Sequence, residues 1–261
     1  MSDEIIDLHR WFTSPPGQYL LAWEQARFDE AVADIFGYHS LQLGLPMLAG
    51  LRANRMQHQW LALEWGAEGE VPPDLLANPV ALPFASGSLD LVVLPHTLEL
   101  SIDPHAALRE VERVLVPEGR VVISGLNPAS LWGLRQRRAR LYQRLGKGSL
   151  YLPDVGEFIG HRRLRDWLRL LNFEVDSARF GCYRPAVRST KWLERYGFMD
   201  TLGAKSWPIL GAAYFIVATK RVHGMRLLEP AWRTSRQRAA AAMPVANRAQ
   251  ALSHRKHRNK V

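Results

Sequence analysis

The feature that most constrains the fold is a regular alternation of short apolar runs with helical patterns between residues 17 and 222. The runs that predict buried strands are Tyr38–Leu43, Gln59–Leu63, Leu89–Leu94, Val121–Ser124, Phe173–Ala178 and Ala212–Thr219. Strands that alternate with helices of this length favour an α/β fold built on a mostly parallel, doubly wound sheet.

Three amphipathic helices are predicted between these runs. Their apolar stripes are Leu21, Phe28, Val32 and Ile35, then Leu108, Val111, Val114 and Leu115, and finally Leu164, Trp167, Leu168 and Leu171. The first is expected to follow a break at Pro15-Pro16-Gly17. The second begins after the cap Asp103-Pro104 and is expected to end at Pro117-Glu118-Gly119. After the third, Asn172 can adopt the left-handed conformation that leads into a strand.

Composition excludes several classes of protein. Of 261 residues, 47% are hydrophobic and 23% charged, which argues against a disordered, fibrous or disulfide-stapled chain. The single cysteine, Cys182, is expected to be a small buried residue in a reducing compartment, so the cytoplasm is favoured. The N-terminus shows no signal pattern, and the longest mostly apolar run, Trp207–Thr219, is shorter than the ~20 residues of a spanning helix. We therefore expect a soluble protein with no membrane partner.

The net charge of +9 is concentrated at the C-terminus. Residues 223–261 hold nine Lys and Arg against one acidic residue, which leaves 25 basic and 24 acidic residues in positions 1–222. We expect residues 1–222 to form the folded domain and residues 223–261 to be a disordered basic tail. The tail either contacts nucleic acid weakly through its charge or is a solvated extension without a partner.

The junctions that follow strands are where a doubly wound sheet binds its ligands. The first junction contains Gly44, and the next strand ends at Glu64, twenty residues later. An acidic side chain at this distance can accept the hydroxyls of a ribose held against the first turn. The alternative is that Glu64 is a solvated loop charge.

The segment 82–120 resembles the class I S-adenosylmethionine-dependent methyltransferases of the small-molecule "type 11" kind. The resemblance rests on Leu82-Pro83-Phe84, Leu89-Asp90-Leu91-Val92, Leu98-Glu99 and Arg113-Val114-Leu115-Val116-Pro117-Glu118-Gly119, in the family's order and spacing. It implies a Rossmann-like methyltransferase sheet of seven strands, whose last strand, Ala212–Thr219, is antiparallel. It also implies S-adenosyl-L-methionine as cofactor.

The first loop departs from the family's acidic residue followed by Gly-x-Gly-x-Gly. Here Gln42 replaces the acid, Gly44 is retained and Pro46 replaces a glycine, which removes an N–H. At the third strand, Asn78 replaces the family's acid beside the adenine, and Pro79 follows it. The resemblance assigns cofactor binding to Gln42, Gly44, Glu64, Asn78, Leu82 and Leu94.

His96, at the end of the fourth strand, is the candidate catalytic base or acceptor-positioning group. The alternative is a partly buried histidine that is satisfied by local backbone. The segment after the fifth strand contains Arg135, Arg137, Arg138, Arg140, Arg144 and Lys147. These either steer an anionic substrate or form a solvated helix face.

Two functions are compatible with these features. The first is a methyltransferase that acts on a small acceptor molecule, which is anionic if the arginines after the fifth strand steer it. The second is a non-catalytic protein with the methyltransferase fold that binds nucleic acid or a protein partner. Residues 94–97 lack the Asn-Pro-Pro-Tyr type of signature, so direct methylation of nucleic-acid bases is not indicated. We find no metal-ligand spacing among His, Cys and carboxylate residues.

Overall fold

The computed structural model describes residues 10–64, 72–144, 150–153 and 158–222. The strands are β1 (His39–Leu43), β2 (His58–Leu63), β3 (Leu75–Leu76), β4 (Leu89–Pro95), β5 (Leu115–Leu126), β6 (Phe173–Gly181) and β7 (Ala213–Lys220). The helices are α1 (Pro15–Val32), α2 (Thr97–Leu100), α3 (Pro104–Val114), α4 (Leu131–Arg144), α5 (His161–Leu170), α6 (Thr190–Arg195) and α7 (Phe198–Ser206). A 3-10 turn, Pro208–Leu210, precedes β7.

The seven strands form one sheet in the order β3-β2-β1-β4-β5-β7-β6. Neighbouring strands from β3 to β5 are parallel, with Leu43 opposite Ala62 and Gln42 opposite Val93. Strand β7 lies between β5 and β6 and is antiparallel to both. The predicted seven-stranded methyltransferase sheet with an antiparallel last strand is confirmed.

Helices cover the two faces of the sheet and create two apolar cores. On one face, α1 packs Phe28 edge-on against Phe215 of β7, with 4.8 Å between ring centroids. On the other face, α3 and α5 bury Leu108, Val111 and Leu164 against the strands. All three predicted helices are therefore present, each with an apolar side against the sheet.

Two predicted boundaries were wrong. Helix α1 begins at Pro15 rather than after the Pro-Pro-Gly sequence, because proline needs no hydrogen-bond acceptor in the first turn of a helix. Its fully buried stripe is Leu20, Glu24, Phe28 and Val32, each four residues from the last. Strand β5 begins at Leu115, directly after α3, so Pro117-Glu118-Gly119 lies within a strand; Glu118 has a φ of 64°.

Two local predictions were right. The Asp103 carboxylate accepts a hydrogen bond from the Ala106 N–H at 2.9 Å and caps α3. Asn172 has a φ of 60° where α5 turns into β6. The basic tail, residues 223–261, lies outside the described residues, so the two-part division of the chain stays a prediction. Among the helices of the described ranges, none is long and apolar enough to cross a membrane.

Candidate functional site

The loop after β1 and the end of β2 lie side by side at the carboxyl edge of the sheet. Gly44 follows β1 with a φ of 78°, and its N–H donates to the Ala62 carbonyl of β2 at 2.9 Å. Glu64 stands two residues beyond Ala62, immediately after β2 ends. The structure thus brings Gly44 and Glu64 together, as the twenty-residue spacing predicts.

The Glu64 carboxylate is available to a ligand. Its side chain is half-buried, and burial raises the pKa of this carboxyl above its usual range. Within the described part of the chain it forms no hydrogen bond or ion pair. A partly desolvated carboxylate with no partner among the described residues is a suitable acceptor for a pair of hydroxyls.

The Gln42 side chain stabilises the loop after β1 through hydrogen bonds to its backbone. Its amide nitrogen lies 2.6 Å from the Leu48 carbonyl and 3.2 Å from the carbonyls of Gly44 and Leu45. Its amide oxygen accepts the Gly50 N–H at 2.8 Å. A carboxylate could not donate to these carbonyls, which explains why an amide stands at this position.

The loop retains free backbone donors. The N–H groups of Leu45 and Met47 have no acceptor among the described residues, whereas Pro46 has no N–H. Leu45 has a φ of 40°, so the tight backbone follows Gly44 without a second glycine. The Glu64 carboxylate and the two loop N–H groups can respectively accept from hydroxyls and donate to a carboxylate of a ligand at this edge.

The residues predicted to lie beside the adenine offer fewer polar side-chain groups to a ligand. Asn78 is exposed, and its side-chain oxygen accepts a hydrogen bond from the N–H of Val80, two residues later, at 3.0 Å. Leu82 is buried, and its N–H donates to the Glu110 carboxylate at 2.8 Å. Leu94 is buried within β4. The assignment of these three residues to cofactor binding stays a prediction.

His96 lies in a buried ionic cluster that it forms with Glu24 and Glu99. It follows β4 with a φ of 54°, and its side chain has no exposed surface. Its Nδ1 lies 2.8 Å from Glu99 Oε2, and its Nε2 lies 2.9 Å from Glu24 Oε1. The second Glu99 oxygen accepts the Leu126 N–H at the end of β5. The cluster therefore joins α1, α2 and the ends of β4 and β5.

The two carboxylates determine the charge of His96. Burial alone would lower the pKa of the imidazole, but the Glu24 and Glu99 carboxylates outweigh it and raise the pKa to about 10. Burial raises the pKa of Glu99 in the same cluster. Both ring nitrogens face carboxylates, so an acceptor would reach His96 only if the Glu24 contact opened. The role of His96 as base or positioning group stays a prediction.

Sequence analysis assigned no role to Glu24, although the pattern contained a signal for it. Glu24 occupies the core stripe of α1, four residues after Leu20 and four before Phe28. A glutamate at such a position is rarely fully buried unless it is paired. The predicted stripe started from Leu21, one residue late, and so left Glu24 out.

The arginines after β5 have different environments. Arg135 donates to the Ala186 carbonyl and lies 4.9 Å over the Tyr151 ring, and Arg140 lies 5.8 Å over Phe158. Arg137 and Arg138 are exposed on α4. The Arg144 side chain and Lys147 lie outside the described residues. Cys182 is buried as expected, and the described ranges contain no cluster of metal ligands.

Comparison with known proteins identifies the family. A family model described as a methyltransferase domain matches residues 51–123. The chain is also 36% identical over 213 residues to the uncharacterized protein YafS of Escherichia coli, an alignment that covers 81% of this chain and 80% of YafS. The chain belongs to the class I methyltransferases. The family match begins at Leu51 and thus leaves out β1 and the loop in which Gln42 and Pro46 depart from the family pattern.

Solved structures agree on the fold. A SAM-dependent methyltransferase from Thermotoga maritima is 16% identical, with a TM-score of 0.54, and the match covers 84% of this chain and 98% of that one. A SAM-dependent methyltransferase from Archaeoglobus fulgidus is 16% identical, with a TM-score of 0.51, and the match covers 77% and 94% of the two chains. The methyltransferase therefore carries the fold of enzymes that use S-adenosylmethionine.

Proposed function

We propose that this methyltransferase binds S-adenosylmethionine at the ends of β1 and β2 and transfers its methyl group to a small acceptor. The observation that carries the proposal is the Glu64 carboxylate beside the Gly44 loop, which is half-buried and has no hydrogen bond or ion pair with the described residues. Glu64 would hold the ribose hydroxyls, and the Leu45 and Met47 N–H groups would hold the methionine carboxylate. The bound cofactor supplies an electrophilic methyl group on its sulfonium.

The protein's own contribution to such a reaction is position and exclusion of water. Transfer from a sulfonium needs an in-line acceptor more than it needs a strong catalyst. Glu24 of α1 and Phe12, which precedes α1, pack against His96 at the end of β4, and none of the three side chains is exposed. The Phe12 and His96 ring centroids are 5.4 Å apart. Exposed Arg137 and Arg138 on α4, which follows β5, favour an anionic acceptor.

Calorimetric titration with S-adenosylmethionine tests the proposal. Glu64→Gln keeps the shape of the side chain but removes its charge, so the Kd should rise by about 10- to 100-fold, the value of a hydrogen bond to a charged group. The matched control is Glu174→Gln on β6, where the carboxylate is exposed and pairs with Arg221 at 2.7 Å. The control should bind as the wild type does.

A second function is favoured by the buried cluster of Glu24, His96 and Glu99. A cluster that closes the end of β4 suits a methyltransferase fold that binds a protein or nucleic acid without catalysis. No heat of binding from wild type in the same titration would favour this alternative. Equal affinities of wild type and Glu64→Gln for S-adenosylmethionine would instead show that Glu64 does not contact the cofactor.

A further inference from the structure

Exposed apolar side chains are concentrated in two segments of the methyltransferase. Among the described residues, ten of eighteen large exposed hydrophobic side chains lie in α4 or between residues 192 and 210. Exposed apolar side chains concentrated in this way are typical of interaction surfaces. We call these two segments together the edge surface.

Helix α4 presents a defined apolar stripe. Leu131, Leu134 and Leu141 recur at helical spacing and are exposed, as is Tyr142. The opposite side of the helix is fixed in the protein: Trp132 is buried and donates to the Arg184 carbonyl at 2.8 Å. The exposed stripe is therefore held in place and faces outward.

The second segment lies at the same edge of the sheet. Its exposed side chains are Trp192, Phe198, Leu202, Trp207, Ile209 and Leu210. Asn127, which leads from β5 into α4, donates to the carbonyls of Ile209 at 2.8 Å and Gly211 at 2.9 Å. Because β5 and β6 end at this edge and β7 begins there, both segments border the carboxyl edge.

Charge separates the edge surface from the rest of the domain. Residues 131–144 and 192–210 contain seven Lys and Arg against two acidic residues, whereas the remainder of residues 1–222 contains eighteen against twenty-two. One of the two acids, Asp200, already pairs with Arg184 at 2.9 Å. The edge surface is thus both apolar and strongly cationic.

We propose that the edge surface docks on an anionic lipid bilayer. Leucines that enter the acyl boundary, tryptophan and tyrosine at headgroup level, and Lys and Arg toward anionic lipids are the side chains that interfacial helices use. Nucleic acid would attract the cations but would leave the aliphatic stripe uncovered. The expectation of no membrane partner came from the lack of a spanning segment, which does not bear on surface binding. The membrane proposal does not depend on the proposed methyl transfer at the candidate site.

Vesicle sedimentation with the full-length protein tests the proposal. We expect binding to vesicles of phosphatidylglycerol and phosphatidylcholine and much weaker binding to phosphatidylcholine alone. The double variant Leu134→Ser/Ile209→Ser should reduce binding to the anionic vesicles at least about tenfold, since two side chains lose apolar burial. Its charge, and that of the tail, is unchanged.

The matched control is Phe36→Ser/Leu170→Ser. These side chains are 79% and 75% exposed, more than Leu134 at 55% and Ile209 at 45%, but they precede β1 and β6 at the opposite edge. The control should bind within about twofold of wild type, and melting temperatures should show that both variants fold. Loss of binding in both variants, or in neither, would overturn the proposal. Failure of the wild type to bind either kind of vesicle would also overturn the proposal and would favour a protein partner for the edge surface.

Discussion

Two neighbouring loops at the carboxyl edge of the sheet differ in whether their polar groups have hydrogen-bond partners. The loop after β1 and the turn after β4 both begin in the left-handed conformation, at Gly44 and His96, and the strands before them are paired. In the first loop two backbone N–H groups have no partner within the described residues, and neither has Glu64 beside it at the end of β2. In the second, both nitrogens of His96 face buried carboxylates.

The difference shows how the site is divided. The donors and acceptors beside β1 and β2 that have no partner among the described residues are the groups left for a polar ligand. The cluster after β4 already has its partners, and one of them, Glu24, comes from a helix that precedes the sheet. Any chemistry at His96 therefore depends on α1, whereas the proposed contact of Glu64 with a cofactor would not.

The largest expected effect comes from removing the cation of the buried cluster. His96→Asn retains a residue that tolerates a positive φ but leaves the Glu24 and Glu99 carboxylates unpaired in the interior. We expect the free energy of unfolding to fall by about 3–5 kcal/mol, the usual result of breaking a buried ion pair. Urea unfolding measures it.

A matched control is available on α3. His105 is half-buried and lies edge-on to Trp167, at 5.6 Å between ring centroids, with no carboxylate partner among the described residues. His105→Asn should change stability by less than about 1 kcal/mol. Equal effects of the two substitutions would mean that the cluster around His96 contributes nothing particular.

The second effect is a loss of stability at alkaline pH. The pKa of His96 is raised to about 10 in the folded protein, against about 6.5 in an unfolded chain. The stabilisation by the protonated ring is complete below pH 6.5 and is lost as the pH rises toward 10, a change on the order of 4 kcal/mol. Burial raises the pKa of the nearby Tyr214 phenol well above its usual range, so that group does not titrate in this window.

Urea unfolding at pH 6 and at pH 9.5 measures this loss. The difference in stability between wild type and His96→Asn should narrow as the pH rises. A difference that stays constant from pH 6 to 9.5 would show that His96 does not hold its proton in the native state.

The sequence was informative wherever a signal is local. Asp103 beside Pro104, Asn172 before β6 and the apolar run of β7 each act within a few residues, and each was predicted correctly. The place of Glu64 was also predictable, because parallel neighbours end at the same edge of a sheet.

Long-range contacts were not predictable in the same way. His96 and Glu24 are 72 positions apart, and periodicity states only that Glu24 faces the interior, not what it meets there. The use of Gln42 within its own loop was missed for another reason. The family has an acidic residue at this position, and the family pattern therefore suggested that Gln42 would take over the role of that acid. In the structure Gln42 instead forms hydrogen bonds within its own loop.

The smallest effect concerns Gln42 and sharpens the comparison of the two loops. Gln42→Glu restores the acidic residue of the family and is nearly isosteric. We nevertheless expect it to lower the free energy of unfolding by about 2 kcal/mol, because the Leu48, Leu45 and Gly44 carbonyls would lose their donor and face a carboxylate. Thermal or urea unfolding measures the loss. The matched control is Gln25→Glu, whose amide bonds the same loop at Ala49 through its oxygen at 3.1 Å and its nitrogen at 2.9 Å, but at the surface. The Gln25 amide also donates to Asp29 at 2.9 Å, but Arg52 pairs with that carboxylate. Water can replace the lost bonds, so the change should be under about 1 kcal/mol. A Gln42→Glu protein as stable as wild type would show that the loop does not need the amide, and that the departure from the family pattern has a different cause.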